Sequence, residues 1–216
     1  MNKKLITACL ALVAFAAMAV VPALASASPV LTNGSTPVVT GSKILGKNTG
    51  NTKFTTSIGT VECTNAKMTG TLTVNSGTSI EGDIETAEFN NGSSTSPCTT
   101  NFLGNVTVTP KRLPWCIKAK STFTADTFQL SSGACAGGGT MEFILDSSTV
   151  GPCTYISTGT PPITGTFTTG TGTLKTEKQG AFTKSEGGIG CPSGGELDMT
   201  FDLYLDNEAE TALKIS

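Results

Sequence analysis

The chain contains no histidine. That absence removes Ser-His-Asp and Cys-His nucleophilic catalysis, histidine metal triads and imidazole proton relays together. Arginine is almost as scarce, with Arg112 the only one, and the lysines are scattered along the chain. No basic patch of the kind that grips nucleic acid results. No serine stands three residues before a lysine, so the Ser-x-x-Lys arrangement of a further hydrolase class is also missing. Beyond residue 24 no apolar run is long enough to cross a bilayer as a helix. Aromatic side chains are few: nine Phe, one Trp and two Tyr follow residue 27. The core is therefore expected to rest on Val, Ile, Leu and Thr methyl groups, with cross-links compensating for its thinness.

The one long apolar run, from Leu5 to Leu24, follows Lys3 and Lys4 and leads into Ala23, Ala25 and Ala27. That is the three-part layout of a secretory signal peptide, with Pro22 breaking its end. Cleavage is expected after Ala27, with Ala25 the alternative. Ile6, Thr7, Ala8 and Cys9 spell a lipobox-like tetrapeptide, but the apolar run follows Cys9 instead of preceding it, so Cys9 is a discarded signal residue. Removing 27 residues from 216 leaves 189, with 12 basic and 16 acidic side chains and a net charge of −4. That length suits one domain. No later segment is expected to insert into a membrane, so the product is secreted or held non-covalently at the envelope.

Six cysteines remain after the leader: Cys63, Cys98, Cys116, Cys135, Cys153 and Cys191. An even number in an exported chain predicts three disulfides. Zinc ligation fails on spacing, since no two lie within five residues of each other and no histidine can complete a site.

Threonine supplies 37 of the 189 residues, and apolar positions recur with period two, the signature of half-buried strands. In the plainest case Leu197, Met199, Phe201, Leu203 and Leu205 share one face, which must be buried. Shorter patterns cover 69–74, 79–89, 106–109, 123–130, 141–145 and 164–168. The nearest approach to a helix is a single turn at 207–214.

The chain also resembles itself. Phe54, Thr60–Val61 and Cys63–Thr64 match Phe143, Thr149–Val150 and Cys153–Thr154, and the Thr69-Gly70-Thr71 step matches Thr164-Gly165-Thr166. Phe89 precedes Cys98 by nine residues, as Phe182 precedes Cys191. We read an internal duplication, residues 53–109 and 142–205 joined by 110–141, within a single β domain spanning 53–205. An N-terminal segment, 28–52, and a tail, 206–216, flank it. Equivalent cysteines should pair equivalently, giving Cys63 with Cys98, Cys153 with Cys191 and, by remainder, Cys116 with Cys135. The expected fold is an antiparallel β-sandwich or closed β-barrel built from two related units.

Candidate chemistry is thin. Glu81, Asp83 and Glu85 alternate on one strand face, neighbours about 6.5–7 Å apart, a separation that suits acid and base work on a glycosidic bond. The plainer reading is a solvent-facing acidic stripe that keeps a strand soluble. Asp198, Asp202 and Asp206 form a second acidic set able to attract a hard cation, without a calcium-loop motif. Trp115 packs beside Cys116 in a core or presents its ring to a carbohydrate. The Thr164, Thr166, Thr168, Thr171, Thr173 steps offer hydroxyl arrays of an ice-binding kind or simple strand propensity. The loop 90–97 beside Cys98 offers a disulfide-braced segment for protease inhibition. No cofactor motif is present.

The string 63–73, the tetrapeptide 113–116 and Cys191-Pro192 with its following strand together resemble uncharacterised secreted proteins of soil actinobacteria. The resemblance spans most of the chain after the leader and implies export and a disulfide-bonded β fold. It brings no activity, substrate or site residue. The function expected is a secreted or envelope-associated, non-enzymatic β domain acting in binding or a structural role, with an envelope glycan or extracellular protein as partner. A carboxylate-based glycan-active enzyme and a protease inhibitor are the alternatives.

Overall fold

Side-chain alternation with period two runs through nearly every segment, and the chain folds accordingly into strands. The computed structural model describes residues 29–216 apart from 124–125, 136, 160–162 and 207; the leader lies outside the described residues. Eighteen strands and no helix are found among them: β1 (Leu31–Asn33), β2 (Thr36–Pro37), β3 (Lys43–Asn48), β4 (Thr52–Thr56), β5 (Gly59–Cys63), β6 (Asn65–Ser76), β7 (Ser79–Asn90), β8 (Thr99–Thr100), β9 (Val106–Lys111), β10 (Trp115–Lys120), β11 (Thr127–Ser132), β12 (Glu142–Ser147), β13 (Gly151–Ser157), β14 (Ile163–Phe167), β15 (Thr173–Gly187), β16 (Gly194–Leu205), β17 (Glu208–Ala212) and β18 (Lys214–Ile215).

Eight strands close on themselves in the order β16-β3-β6-β7-β10-β11-β14-β15 and back to β16, all antiparallel. Of the two architectures expected, the closed barrel is the one formed. Closure removes free edges from a wall rich in threonine, which otherwise would recruit further strands. The eight barrel strands follow one another round the wall in chain order, a simple meander, with the hairpins β4–β5 and β12–β13 inserted after its first and fifth strands. Long strands run past the barrel at one end, where β4 and then β5 add to β16, while β13, β12 and β9 add to β15. An isolated bridge between Cys98 and Val106 links the two extensions.

The disulfides are Cys63–Cys98, Cys116–Cys135 and Cys153–Cys191, the three pairs expected from the repeat. Two cross-link the extensions and the third pins residue 135 to the outer wall of the barrel.

The core has two layers of different character. Within the barrel it is mostly aliphatic, as the composition suggests, with Leu72, Ile80, Ile84 and Leu130 buried beside Phe128 and Phe201. Beneath it six aromatic residues gather. Phe54, Tyr155, Phe182, Phe143, Trp115 and Phe89 form one chain of ring contacts with centroids 5.1–5.7 Å apart. The expectation of a core carried by aliphatic and threonine methyl groups thus fails for this layer, because scarce rings placed on neighbouring strands still meet.

The described segments on either side of 53–205 belong to the domain. Residues 28–52, expected to stand outside it, contribute β3 as a full barrel strand. The alternation of β3 is hidden by Gly46, which faces inward without a side chain. The tail forms β17 and β18 where one helical turn was the nearest helix candidate; pairing with β16 and β1 overrides the local preference of a Glu-Ala-Glu sequence. β18, β1 and β2 make a small sheet that caps the open barrel end. Leu31, Leu213 and Ile215 plug it, each at most 2% exposed. Asn75 latches the cap: its Oδ1 accepts from the Leu31 N–H, and its Nδ2 donates to the carbonyls of Leu31 and Val38, all at 2.8 Å.

Candidate functional site

The acidic stripe lies on the outside of the barrel. Along β7, Ile80, Gly82 and Ile84 face the core, so Glu81, Asp83 and Glu85 face outward. Each carboxylate has a structural partner. Glu81 pairs with Lys120 at 3.3 Å, the Asp83 carboxylate accepts the Cys135 N–H at 2.9 Å, and Glu85 pairs with Lys43 at 2.7 Å. Glu85 sits at a register shift, where Thr69 faces Thr86 but Gly70 faces Ile84, so it leaves the regular spacing of the other two. Hydrogen bonds from the Lys43 ammonium and then the Thr71 hydroxyl hold its carboxyl below the usual carboxylate range. A glycosidic acid needs the opposite shift. The stripe is a charge ladder between neighbouring strands.

The other candidates are equally committed. Asp198 and Asp202 lie on one strand about 13 Å apart, and Asp202 accepts from the Thr173 hydroxyl at 2.6 Å; they do not converge on a common point. Asp83, Cys116 and Cys135 approach within 4.8 Å, but both sulfurs belong to a disulfide. Trp115 is fully buried against Phe143, with its Nε1 donating to the Lys111 carbonyl at 2.9 Å; no ring face is open to a sugar. Thr164 and Thr166 are exposed on β14, yet Thr168 already belongs to the turn, and so no extended hydroxyl array forms. The loop 90–97 folds back on itself through Asn91 N–H to Ser96 O and Ser96 N–H to Ser93 O. An inhibitory loop has to be extended.

The feature that the fold creates is inside the barrel. A cavity of about 100 Å³ lies between Met68, Leu72, Ile84, Leu130, Leu174 and Phe201, and Leu31 and Ile215 of the cap border it. Its lining is almost wholly apolar. Thr176, the buried hydroxyl on it, is already engaged, accepting from the Met199 N–H at 3.1 Å and donating to the Leu197 carbonyl at 3.5 Å. Asp83 borders the space, but its carboxylate turns outward to Cys135.

Two glycines open this space. A Cβ on Gly46 would meet Phe201, Leu203 and Met68 at 3.6–3.8 Å, and one on Gly82 would meet its neighbours at 3.4–3.9 Å. Those are ordinary contacts, and neither backbone is in the left-handed region, so sterics do not demand glycine at either position. At Gly70 they do: a Cβ would fall 2.3 Å from the Asp83 carbonyl oxygen. Sequence patterning missed the cavity because a glycine at an inward position registers as a break in the alternation. The signal available was that Gly82 lies between Ile80 and Ile84 in an otherwise regular strand.

In the lower layer Tyr155 is 1% exposed and donates its hydroxyl to the Pro192 carbonyl at 3.1 Å. Burial pushes its pKa up to about 12. The protonated phenol is thus favoured by folding, and its contribution is complete below pH 10 and lost as pH rises towards 12. The expected loss across that window is about 2–3 kcal/mol. Urea titrations at stepped alkaline pH should show it, and Tyr155→Phe should flatten the slope. An equal slope in the variant would assign the loss to other groups.

No protein-family model, curated protein or solved structure matches the chain. Three disulfides fit an oxidising, extracellular type of environment, and no helix among the described residues is long and apolar enough to cross a membrane.

Proposed function

We propose that the protein is an exported, non-enzymatic binding domain whose barrel takes up a small neutral apolar molecule, or the apolar end of a larger one. The cavity carries this reading. It lies at the centre of a closed eight-stranded barrel, a frame with room for core side chains or for one small ligand. Two glycines leave it open where side chains would fit. It offers no free hydrogen-bonding side chain and no charge, so burying a polar or ionised ligand there would go uncompensated. The leader, the cysteine pairing and the lack of histidine support export and a role without covalent catalysis. A hairpin inserted after the first and again after the fifth barrel strand, β4–β5 and β12–β13, supports two related units, 53–109 and 142–205. Each hairpin pairs with the last strand of the other unit, β4 with β16 and β12 with β9.

The space is smaller than the roughly 150 Å³ apolar cavity known to hold benzene, and so accepts a group of about four to six carbon atoms. Titrating the protein with cyclopentane or benzene while following side-chain methyl resonances tests this. Methyl groups of Leu72, Ile84, Leu130 and Leu174 should shift in a saturable way. In Gly46→Val the added methyls enter the space; the shifts should vanish while stability stays within about 1 kcal/mol of the parent. Wild-type methyls that do not respond would leave the cavity a packing void and end the proposal.

A further inference from the structure

Large apolar side chains exposed on the described surface are four: Val39, Ile58, Phe102 and Ile189. Three of them sit together at the end of the molecule opposite the terminal cap. Ile58 lies in the turn between β4 and β5, Phe102 in the loop between β8 and β9, and Ile189 in the loop between β15 and β16. These loops and the β12–β13 turn adjoin one another. Thr56 pairs with Gly195, a Cβ on Gly59 would lie 3.4 Å from the Phe102 Cβ, and one on Gly190 would touch Val150. The Asn105 N–H donates to Ser148 Oγ at 3.1 Å.

Residues 56–59, 101–105, 148–150 and 188–193 contain no Asp, Glu, Lys or Arg. Charged side chains begin on the strands behind, at Glu62, Asp146, Lys184, Glu186 and Glu196. The Lys184 ammonium lies against the carbonyls of Gly188 and Cys191. Phe102 is 64% exposed and Ile189 fully so. The Cys153–Cys191 disulfide holds the loop that carries Ile189, and Cys98 is cross-linked three residues before Asn101. Isolated exposed apolar residues are commonplace; three on adjoining, uncharged, braced loops are not.

We propose that this loop end is a lipid-contact surface on which the protein rests reversibly against a bilayer. Three side chains on three separate loops cover far less than the roughly 1,000 Å² that a stable protein interface requires, which argues against a second copy. A bilayer needs no matching pockets, and each tip enters the interfacial region independently. Uncharged loops have little to desolvate on approach, and disulfide bracing removes the ordering cost of presenting the tips. One cation, Lys184, lies against the Ile189 loop, but Asp146, Glu186 and Glu196 border the same end, so attraction to anionic headgroups contributes little. This contact is peripheral, needs no spanning segment, and does not depend on the cavity.

The test is flotation with vesicles of phosphatidylcholine alone, between about 0.1 and about 1 M salt. Wild-type protein should co-float equally across that range. Phe102→Ser with Ile189→Ser should lower partitioning about tenfold or more, with an unchanged melting curve because both side chains are exposed. Trp115 is buried, so Phe102→Trp adds one exposed reporter, whose emission should shift to the blue and be quenched by chain-brominated phosphatidylcholine. Three outcomes overturn the proposal: no co-flotation, equal co-flotation of the double variant, or binding confined to phosphatidylglycerol vesicles and released by salt. Sedimentation showing a wild-type dimer that the double variant abolishes, without vesicle binding, would reassign the surface to a second copy.

Discussion

Phe143→Ala is expected to lower folding stability by about 3–5 kcal/mol, near the top of the range for core truncations. Phe143 is the hub of the aromatic layer, with ring centroids 5.7 Å from Phe89, 5.1 Å from Trp115 and 5.5 Å from Phe182. Removing its ring deletes three edge or tilted contacts as well as the buried area. A small void of about 20 Å³ already borders it, between Phe54, Val61, Phe89 and Leu197. Collapse into the enlarged space is restrained, because β12, which carries Phe143, is hydrogen-bonded on both edges to β9 and β13. The cost of truncation grows with the cavity that cannot close. Equilibrium urea unfolding measures the difference, and a loss under about 2 kcal/mol would mean that this layer relaxes freely.

Replacing Cys153 and Cys191 together by alanine is expected to cost a comparable amount, about 4 kcal/mol by the chain-entropy estimate for a closed loop of 38 residues. Cys63–Cys98 closes 35 residues and should behave alike, while Cys116–Cys135 closes 19 and should contribute about 3 kcal/mol. Cys153 and Cys191 are buried, at 2% and 5% exposure, so alanine there leaves a small apolar gap but no unsatisfied polar group. Urea midpoints of the three double variants, ranked against the parent, check the order. If losing Cys116–Cys135 proved the most damaging, native-state attachment of residue 135, whose N–H bonds the Asp83 carboxylate, would outweigh unfolded-chain entropy. Reducing all three should unfold the domain.

Much of the wall was legible in the sequence. The run from Leu197 to Leu205 lies on β16 with Leu197, Met199 and Phe201 buried and Leu203 and Leu205 packed against the core. The acidic alternation of Glu81 and Asp83 is on β7, facing out. These features are local, since a strand's two faces follow from its own pattern. The missed elements have a common cause. β3 carries an inward glycine, and β17 and β18 are short segments whose strand character comes from the neighbours they pair with. Trp115 illustrates the same limit. Its tetrapeptide allowed a surface platform or a core ring, and only the position of β10 between β7 and β11, over Phe143, buries it.

By itself the amino-acid sequence determined the all-β class, the three cysteine pairs and the classes of catalysis that lack the necessary side chains. The first and last follow from composition and period-two patterning, which are properties of residues and near neighbours, and the cysteine pairs from the likeness of two segments of the chain. Closure into a barrel, the cavity at its centre and the meeting of four loops at one end were decided by tertiary structure. Each depends on which strands pair across long separations, such as β3 with β16 and β7 with β10, and on where an absent side chain coincides with absent ones opposite. Space and adjacency belong to the assembled chain, and the same glycine that interrupts a strand pattern becomes, once the barrel closes around it, part of the opening of a cavity.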